Sequence, residues 1–196
     1  MQSSYITSAK KANQLPAYEW PEVAFLGRSN CGKSSLLNTL LGRQNLAKSS
    51  STPGRTQMVN FFSVERTRQE KIIFVDLPGY GYNIAQKKVN NLWDELVATY
   101  LERPNIKLCL FLSDVRRALD DSEWEYLYSL KQKAPVILVL TKVDKLSQKL
   151  LKQVQEDWIQ EVKSMGLFLE VIFISNLKNK KGIKELQERV WDITTL

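Results

Sequence analysis

Histidine is missing altogether from these 196 residues, which removes the commonest general base and the commonest metal ligand. Catalysis must then come from positioning and charge. Cysteine is scarce: Cys31 and Cys109 are the only two, they lie in unrelated contexts, and no disulfide framework follows from them. Long apolar runs are missing as well. The stretch 136–140 is among the longest and is far too short to span a bilayer, while residues 1–21 lack the continuous apolar core of a signal peptide. The expectation is a soluble, cytoplasmic protein with no membrane partner. No internal repeat and no second domain can be found, so the expected organisation is an N-terminal extension over 1–21 and a single domain over 22–196.

What is present is ordinary in amount and informative in placement. Apolar residues make up 43% and charged residues 25% of the chain, enough for one well-filled core. The formal net charge is +7, and residues 1–70 hold nine basic and four acidic side chains, whereas 71–141 are balanced at nine and nine. A polyanionic partner near the first third of the chain would fit that excess; a solubilising basic surface is the other reading.

Short apolar segments at 22–26, 58–64, 71–75, 106–113, 135–140 and 169–174 read as strands and alternate with amphipathic stretches, the pattern of an α/β protein. A helix is expected over 147–165, with Leu150, Leu151, Val154, Trp158, Val162 and Met165 on one stripe, Ser147 as its cap and Gly166 as its stop. Further helices are expected at 35–41, at 121–132 behind an Asp120 cap, and at the C-terminus through Ile183, Leu186, Val190 and Ile193. The second and third strands are separated only by the polar stretch 65–70, too short for a helical crossover, so that pair should be an antiparallel hairpin.

The string Gly27-Arg28-Ser29-Asn30-Cys31-Gly32-Lys33-Ser34 matches the phosphate-binding loop G-x-x-x-x-G-K-[ST]. It follows an expected strand and opens an expected helix, which is the required context. Backbone N–H groups there would wrap phosphates, Lys33 would neutralise the β- and γ-phosphates, and the Ser34 hydroxyl would bind Mg²⁺. The third strand ends in Asp76-Leu77-Pro78-Gly79, in which the carboxylate can serve Mg²⁺ through water and the Gly79 N–H can sense a γ-phosphate. The fifth strand ends in Thr141-Lys142-Val143-Asp144. Asp144 can accept from both N1–H and the exocyclic amine of guanine while the Lys142 stem packs along the base, a donor pair that adenine cannot offer. The last strand ends in Ile174-Ser175-Asn176, where a loop amide would meet guanine O6. Four motifs in this order at strand carboxyl ends are what a nucleotide site in an open α/β sheet requires.

With those residues in place, the chain resembles the translation-factor-related GTPases that include Era, EngA and the tRNA-modification GTPase, and within them it is most similar to the EngB family, also called YihA or YsxC. The strings that carry this are Gly-Arg-Ser-Asn-x-Gly-Lys-Ser-Ser at 27–35, Thr-Pro-Gly-Arg-Thr-Gln at 52–57 followed by Asn60-Phe61-Phe62, and Asp-Leu-Pro-Gly-Tyr-Gly-Tyr at 76–82. The resemblance implies a three-layer P-loop GTPase fold with a mainly parallel six-stranded sheet, one antiparallel edge hairpin and helices on both faces. It implies GTP and GDP as ligands, Mg²⁺ as cofactor, and a monomeric switch in assembly of the large ribosomal subunit or its precursor, in contact with rRNA. An association with cell division and septation comes with it.

By the same resemblance Thr56 becomes the switch threonine completing the Mg²⁺ shell beside Ser34 and Asp76, within the nucleotide-contacting stretch Gly54-Arg55-Thr56-Gln57-Met58, with Thr52 as its rival. Lys33, Thr56 and Gly79 are then the groups nearest the reaction. One departure from the family matters: a usually small residue is here Asn176. Ras-like enzymes place a water-orienting Gln just after D-x-x-G, and this chain has Tyr80 there, so slow intrinsic hydrolysis is expected. Asn30 occupies the position at which relatives of the tRNA-modification GTPase hold K⁺; loop-stabilising hydrogen bonding is its other reading. The alternative function is a GTP-gated RNA-binding module with negligible turnover. An ATP-dependent kinase fails at Asp144.

Overall fold

The computed structural model describes residues 2–43, 46–47, 58–80, 91–175 and 180–195, with the backbone alone for 91–94. Its elements run β1 (Gln2–Ala9), β2 (Glu22–Gly27), α1 (Lys33–Leu41), β3 (Val59–Glu65), β4 (Lys71–Asp76), α2 (Asn91–Leu101), β5 (Ile106–Asp114), α3 (Asp121–Lys131), β6 (Val136–Thr141), α4 (Gln148–Ser164), β7 (Glu170–Phe173) and α5 (Ile183–Thr194). One sheet carries all the strands in the order β1-β3-β4-β2-β5-β6-β7. Every residue of β2 is buried, because β4 and β5 flank it in parallel and helices cover both faces. Successive side chains point to opposite faces. Val23 and Phe25 therefore enter the layer formed with Leu36, Leu37 and Leu40 of α1 and Leu186 and Val190 of α5. Ala24 and Leu26 enter the opposite layer with Leu96 and Tyr100 of α2, Leu127 of α3 and Trp158 of α4.

The α/β three-layer architecture is the expected one, with two differences. The sheet has seven strands rather than six. The antiparallel hairpin of β3 and β4 is present, paired from Asn60↔Asp76 to Glu65↔Lys71, yet it is not the edge, because β1 lies outside it, antiparallel to β3. The extra strand comes from the stretch expected as an extension. Its sequence QSSYITSA has no apolar alternation to announce it, and its buried side chains are the small Ser3 and Ala9. Hydroxyls hold it instead: Ser3 Oγ donates to Leu41 O at 2.6 Å, Ser4 and Ser63 share a hydroxyl contact of 2.7 Å, and Ser8 Oγ donates to Asn60 Oδ1. α2 is likewise an element beyond those read from the sequence.

The expected caps are present. Asp120 and Glu123 form a reciprocal capping box on α3, and Ser147 accepts from Leu150 N–H at the start of α4. Among the described residues no helix is long and apolar enough to cross a membrane. Parallel register lines up the carboxyl ends of the central strands: Phe25 lies beside Asp76, Gly27 beside Leu112 and Asp114 beside Thr141. That edge of the sheet is where the motif residues collect.

At the other end of β2, the Glu22 side chain has no solvent exposure and accepts from Arg103 Nη2 at 2.5 Å and Nε at 3.1 Å. Stripping one partner from a buried pair leaves an uncompensated charge. Arg103→Met is expected to destabilise the fold by about 3–5 kcal/mol, read as a lower urea midpoint at unchanged m-value, and Glu22→Gln in the same chain should recover most of the loss.

Candidate functional site

The loop after β2 is shaped by close approach. A Cβ on Gly27 would lie 2.6 Å from Leu112 O and 2.7 Å from Cys31 Sγ, so no larger residue fits. Asn30 and Gly32 have φ of 66° and 98°, which turns successive backbone N–H groups to the inside of the loop. Gly32 caps α1 and has no side chain with which to occupy the first-turn N–H groups, leaving them to a ligand at the positive end of the helix. Burial pushes the Cys31 thiol up from 9.0 to about 11, marking it as a packing group of the loop.

Lys33, the first residue of α1, forms an ion pair with Asp76 at the end of β4, both side chains being nearly buried. Beyond Asp76 the chain stays against the loop: Leu77 N–H donates to Phe25 O, Arg28 and Tyr80 form a parallel bridge, and Ser29 N–H donates to Tyr80 O at 3.1 Å. Gly79 lies so close that a Cβ would stand 2.9 Å from Ser29 N. Leu77 turns into the core and Pro78 follows it. The Tyr80 ring packs on Phe111 and Tyr126, with centroids 5.7 and 5.8 Å away, and its hydroxyl donates to Glu123 Oε1 at 3.2 Å. Glu123 is also the partner of Arg117. Burial, with the Glu123 carboxylate second, pushes the phenol pKa far up. A mainly apolar hollow of about 280 Å³ beside this ring, lined by Leu26, Leu77, Val97 and Tyr126 among others, is separate from the phosphate loop.

At the end of β6, Thr141 is buried and its hydroxyl reaches Cys31 O of the phosphate loop. Lys142 takes a left-handed backbone with φ 62°, and Asp144 follows in the 3₁₀ turn Val143–Lys145. Val143 is buried, and its N–H donates to Ile174 O at 3.3 Å. Ser175 Oγ donates to Asp144 Oδ1 at 3.1 Å, fixing one carboxylate oxygen. Ile174 itself is a core side chain that contributes through its backbone. Lys142 Nζ donates to Asn30 O at 2.7 Å and lies 3.0 Å from Asp114 Oδ2.

The structure thus brings together Gly27 to Ser34, Asp76 to Gly79, Thr141 to Asp144 and Ser175 along one sheet edge. Met58 precedes β3 and is half-buried. Gly54, Arg55, Thr56, Gln57, the rival Thr52 and Asn176 lie outside the described residues. Sequence reasoning missed Asp114 and Arg116, which meet Lys142 through an ion-pair chain, and the Tyr80–Glu123–Arg117 cluster. Asp114 did carry a signal: it ends β5 as Asp76 ends β4.

This fold and this arrangement of the glycine loop, the Asp76 carboxylate and the Thr141–Asp144 string define the class of P-loop GTPases. The family profile described as 50S ribosome-binding GTPase matches residues 22–142. The chain is 42% identical to the probable GTP-binding protein EngB of Desulfatibacillum aliphaticivorans, over 97% of this chain and 91% of that one. It is 41% identical to the EngB of Campylobacter lari, over 97% and 94%. Among solved structures it is similar to Era in complex with MgGDPNP and nucleotides 1506–1542 of 16S ribosomal RNA, with 28% identity and a TM-score of 0.70, covering 88% of this chain and 56% of that one. The chain belongs to the EngB family of GTP-binding proteins, and it is a GTPase.

Both buried thiols bear on alkaline stability, since the Cys109 thiol is also pushed up, to about 12. Their folded pKa values lie above the unfolded ones, so the unfolded chain releases protons first as pH rises and stability falls above about pH 9. The expected slope is about 1.4 kcal/mol per pH unit for each thiol. Urea unfolding at pH 8, 9 and 10 should show the decline, and Cys31→Ala should remove one thiol's share.

Proposed function

We propose that this GTPase is a cytoplasmic, monomeric, nucleotide-gated switch in assembly of the large ribosomal subunit or its precursor, with slow Mg²⁺-dependent hydrolysis of GTP to GDP. The observation that carries the nucleotide part is the convergence of Lys33–Asp76 and Lys142–Asp144–Ser175 at the carboxyl ends of the parallel strands of one mixed sheet. The ribosomal part is supported by the EngB relatives, by the family's description, by the rRNA bound to Era in its solved complex, and by the basic excess of residues 1–70. The family association with cell division and septation belongs to the same reading.

In this mechanism the loop N–H groups and Lys33 hold the phosphates. Ser34 and Asp76 are hard oxygen donors, which suits Mg²⁺, an ion that takes one or two protein oxygens and completes its shell with phosphate and water. Among the described residues no group of three His, Cys, Asp or Glu side chains gathers into a self-sufficient cage, so the substrate's own phosphates would complete the site. When bound, the ion would neutralise charge building on the β- and γ-phosphates. Thr56 would help to hold it beside Ser34 and Asp76, and Gly79 would offer its N–H to the γ-phosphate. Asp144 accepts from the two guanine donors with its carboxylate held by Ser175, the Lys142 stem covers the base, and the Asn176 backbone amide serves O6.

Hydrolysis is slow because the residue after Gly79 is Tyr80, whose hydroxyl is engaged by Glu123 and cannot orient a water. K⁺ at Asn30 would supply the missing positive charge; equal rates in K⁺ and Na⁺, unchanged by Asn30→Ala, would remove the ion alone.

Asp144→Asn is expected to weaken GTP binding by about 1–3 kcal/mol, the size of an unsatisfied buried polar group, and to favour xanthine nucleotides in equilibrium titration. Equal wild-type affinity for ATP and GTP would overturn the guanine assignment. Co-sedimentation with large ribosomal subunits should be strongest with a non-hydrolysable GTP analogue, weaker with GDP, and should fall with salt at a log–log slope of about −0.7 to −0.9 per neutralised phosphate. Arg55→Ala or Lys48→Ala, each removing one of the nine basic side chains of residues 1–70, should reduce that slope. Absence of binding in every nucleotide state would sink the ribosomal reading.

A further inference from the structure

Lys142 is pinned at both ends. Its backbone sits in the left-handed region with φ 62°, held from behind by the Val143 N–H to Ile174 O bond. Its ammonium reaches across to the phosphate loop, donating to Asn30 O at 2.7 Å and pairing with Asp114 Oδ2 at 3.0 Å. Asp114 is in turn fixed by one residue: Arg116 donates to Oδ1 from its backbone N–H at 3.1 Å and from Nε at 2.9 Å, and to Oδ2 from Nη2 at 2.7 Å. Register places Asp114 beside Thr141 on the adjoining strand, so the carboxylate approaches Lys142 from the sheet while Asn30 approaches it from the loop. The Arg116 hydrogen bonds also hold the Asp114 carboxyl well below the usual carboxylate range, which keeps it charged at every working pH.

We infer that Asp114, braced by Arg116, is a positioning residue for guanine recognition: it holds the Lys142 stem stretched between β6 and the phosphate loop before nucleotide arrives. The inference rests on the reading of Lys142 and Asp144 as the base site. A lysine stem has several rotatable bonds, and the freedom lost when it is immobilised on a ligand weakens binding; immobilising it beforehand removes that cost. The Asn30 carbonyl alone gives the ammonium one neutral acceptor on a turn. Asp114 adds a second, charged acceptor from a strand, and such charge-assisted bonds are the stronger kind. Because the base is common to GDP and GTP, the effect should fall on both nucleotides alike and spare the chemical step.

The experiment is equilibrium titration with fluorescent GDP and a GTP analogue, with single-turnover hydrolysis and nucleotide-free unfolding temperature measured alongside. Asp114→Ala should raise both Kd values about tenfold, equal to about 1.4 kcal/mol, with kcat at saturating GTP unchanged. Asp114→Asn, which keeps an acceptor oxygen and the volume, should lose less, and Arg116→Ala should shift both Kd values in the same direction by a smaller factor. In a Lys142→Met chain, which retains an apolar stem, Asp114→Ala should add less than a twofold effect. A wild-type Kd in both Asp114 variants, or an equal loss with and without Lys142, would overturn the inference while leaving the base site standing. If Lys142→Met leaves guanine nucleotide affinity untouched, this inference falls and the base site stands; if Asp144→Asn leaves it untouched as well, the base-site reading and this inference fall together.

Discussion

The phosphate loop is held from outside by two side chains at the end of β6: the Thr141 hydroxyl on Cys31 O and the Lys142 ammonium on Asn30 O. A loop of this kind gathers backbone N–H groups on its inner side, so its carbonyls point outward and need donors elsewhere. Those donors come from a strand two places across the sheet. The loop and the motif at the end of β6 are therefore one mechanical unit, and the parallel register from β2 through β5 to β6 sets the distance between them.

That dependence explains where backbone strain is tolerated. Asn30 and Lys142 both adopt left-handed conformations that a side chain disfavours, and such positions persist only when their surroundings over-determine them. Here the two strained residues hold each other, through the Lys142 to Asn30 hydrogen bond, with Asp114 as the third point. Gly27 and Gly79 meet a different constraint: each sits where neighbouring backbone leaves no space for a methyl group. The phosphate loop, the segment after Asp76 and the end of β5 thus touch without intervening side chains at these two points.

Charge is arranged along the same edge. Lys33 faces Asp76, Lys142 faces Asp114, and Arg117 faces Glu123, so each of these three cations has a carboxylate that keeps it oriented. The third pair extends the network away from the phosphates, since Glu123 also accepts from Tyr80 and caps α3. Through it, the segment that follows Gly79 is tied to a helix whose other face is open to solvent. β1 has a comparable position at the far end of the sheet, zipped by serine hydroxyls onto β3.

The motif residues were legible in the sequence because each is a contiguous string whose chemistry depends on local backbone: a glycine-rich turn before a helix, a carboxylate after a strand, a lysine and an aspartate two residues apart. The core strands were legible because β2, β5 and β6 are buried on both faces and must be continuously apolar. β1 was not, since a strand held by hydroxyl contacts and small residues has no period of hydrophobicity to display. The partners of Asp114, Arg116, Tyr80 and Glu123 were not legible either. They meet only because the parallel pairing of β5 and β6 sets Asp114 beside Thr141 and α3 packs against the segment after Gly79. Sequence alone determined which ligand chemistry this chain carries, because that chemistry is written in short local strings. Only the tertiary structure decided which side chains hold those strings in place, because their partners stand 28 to 112 residues away along the chain and meet only through strand register and helix packing.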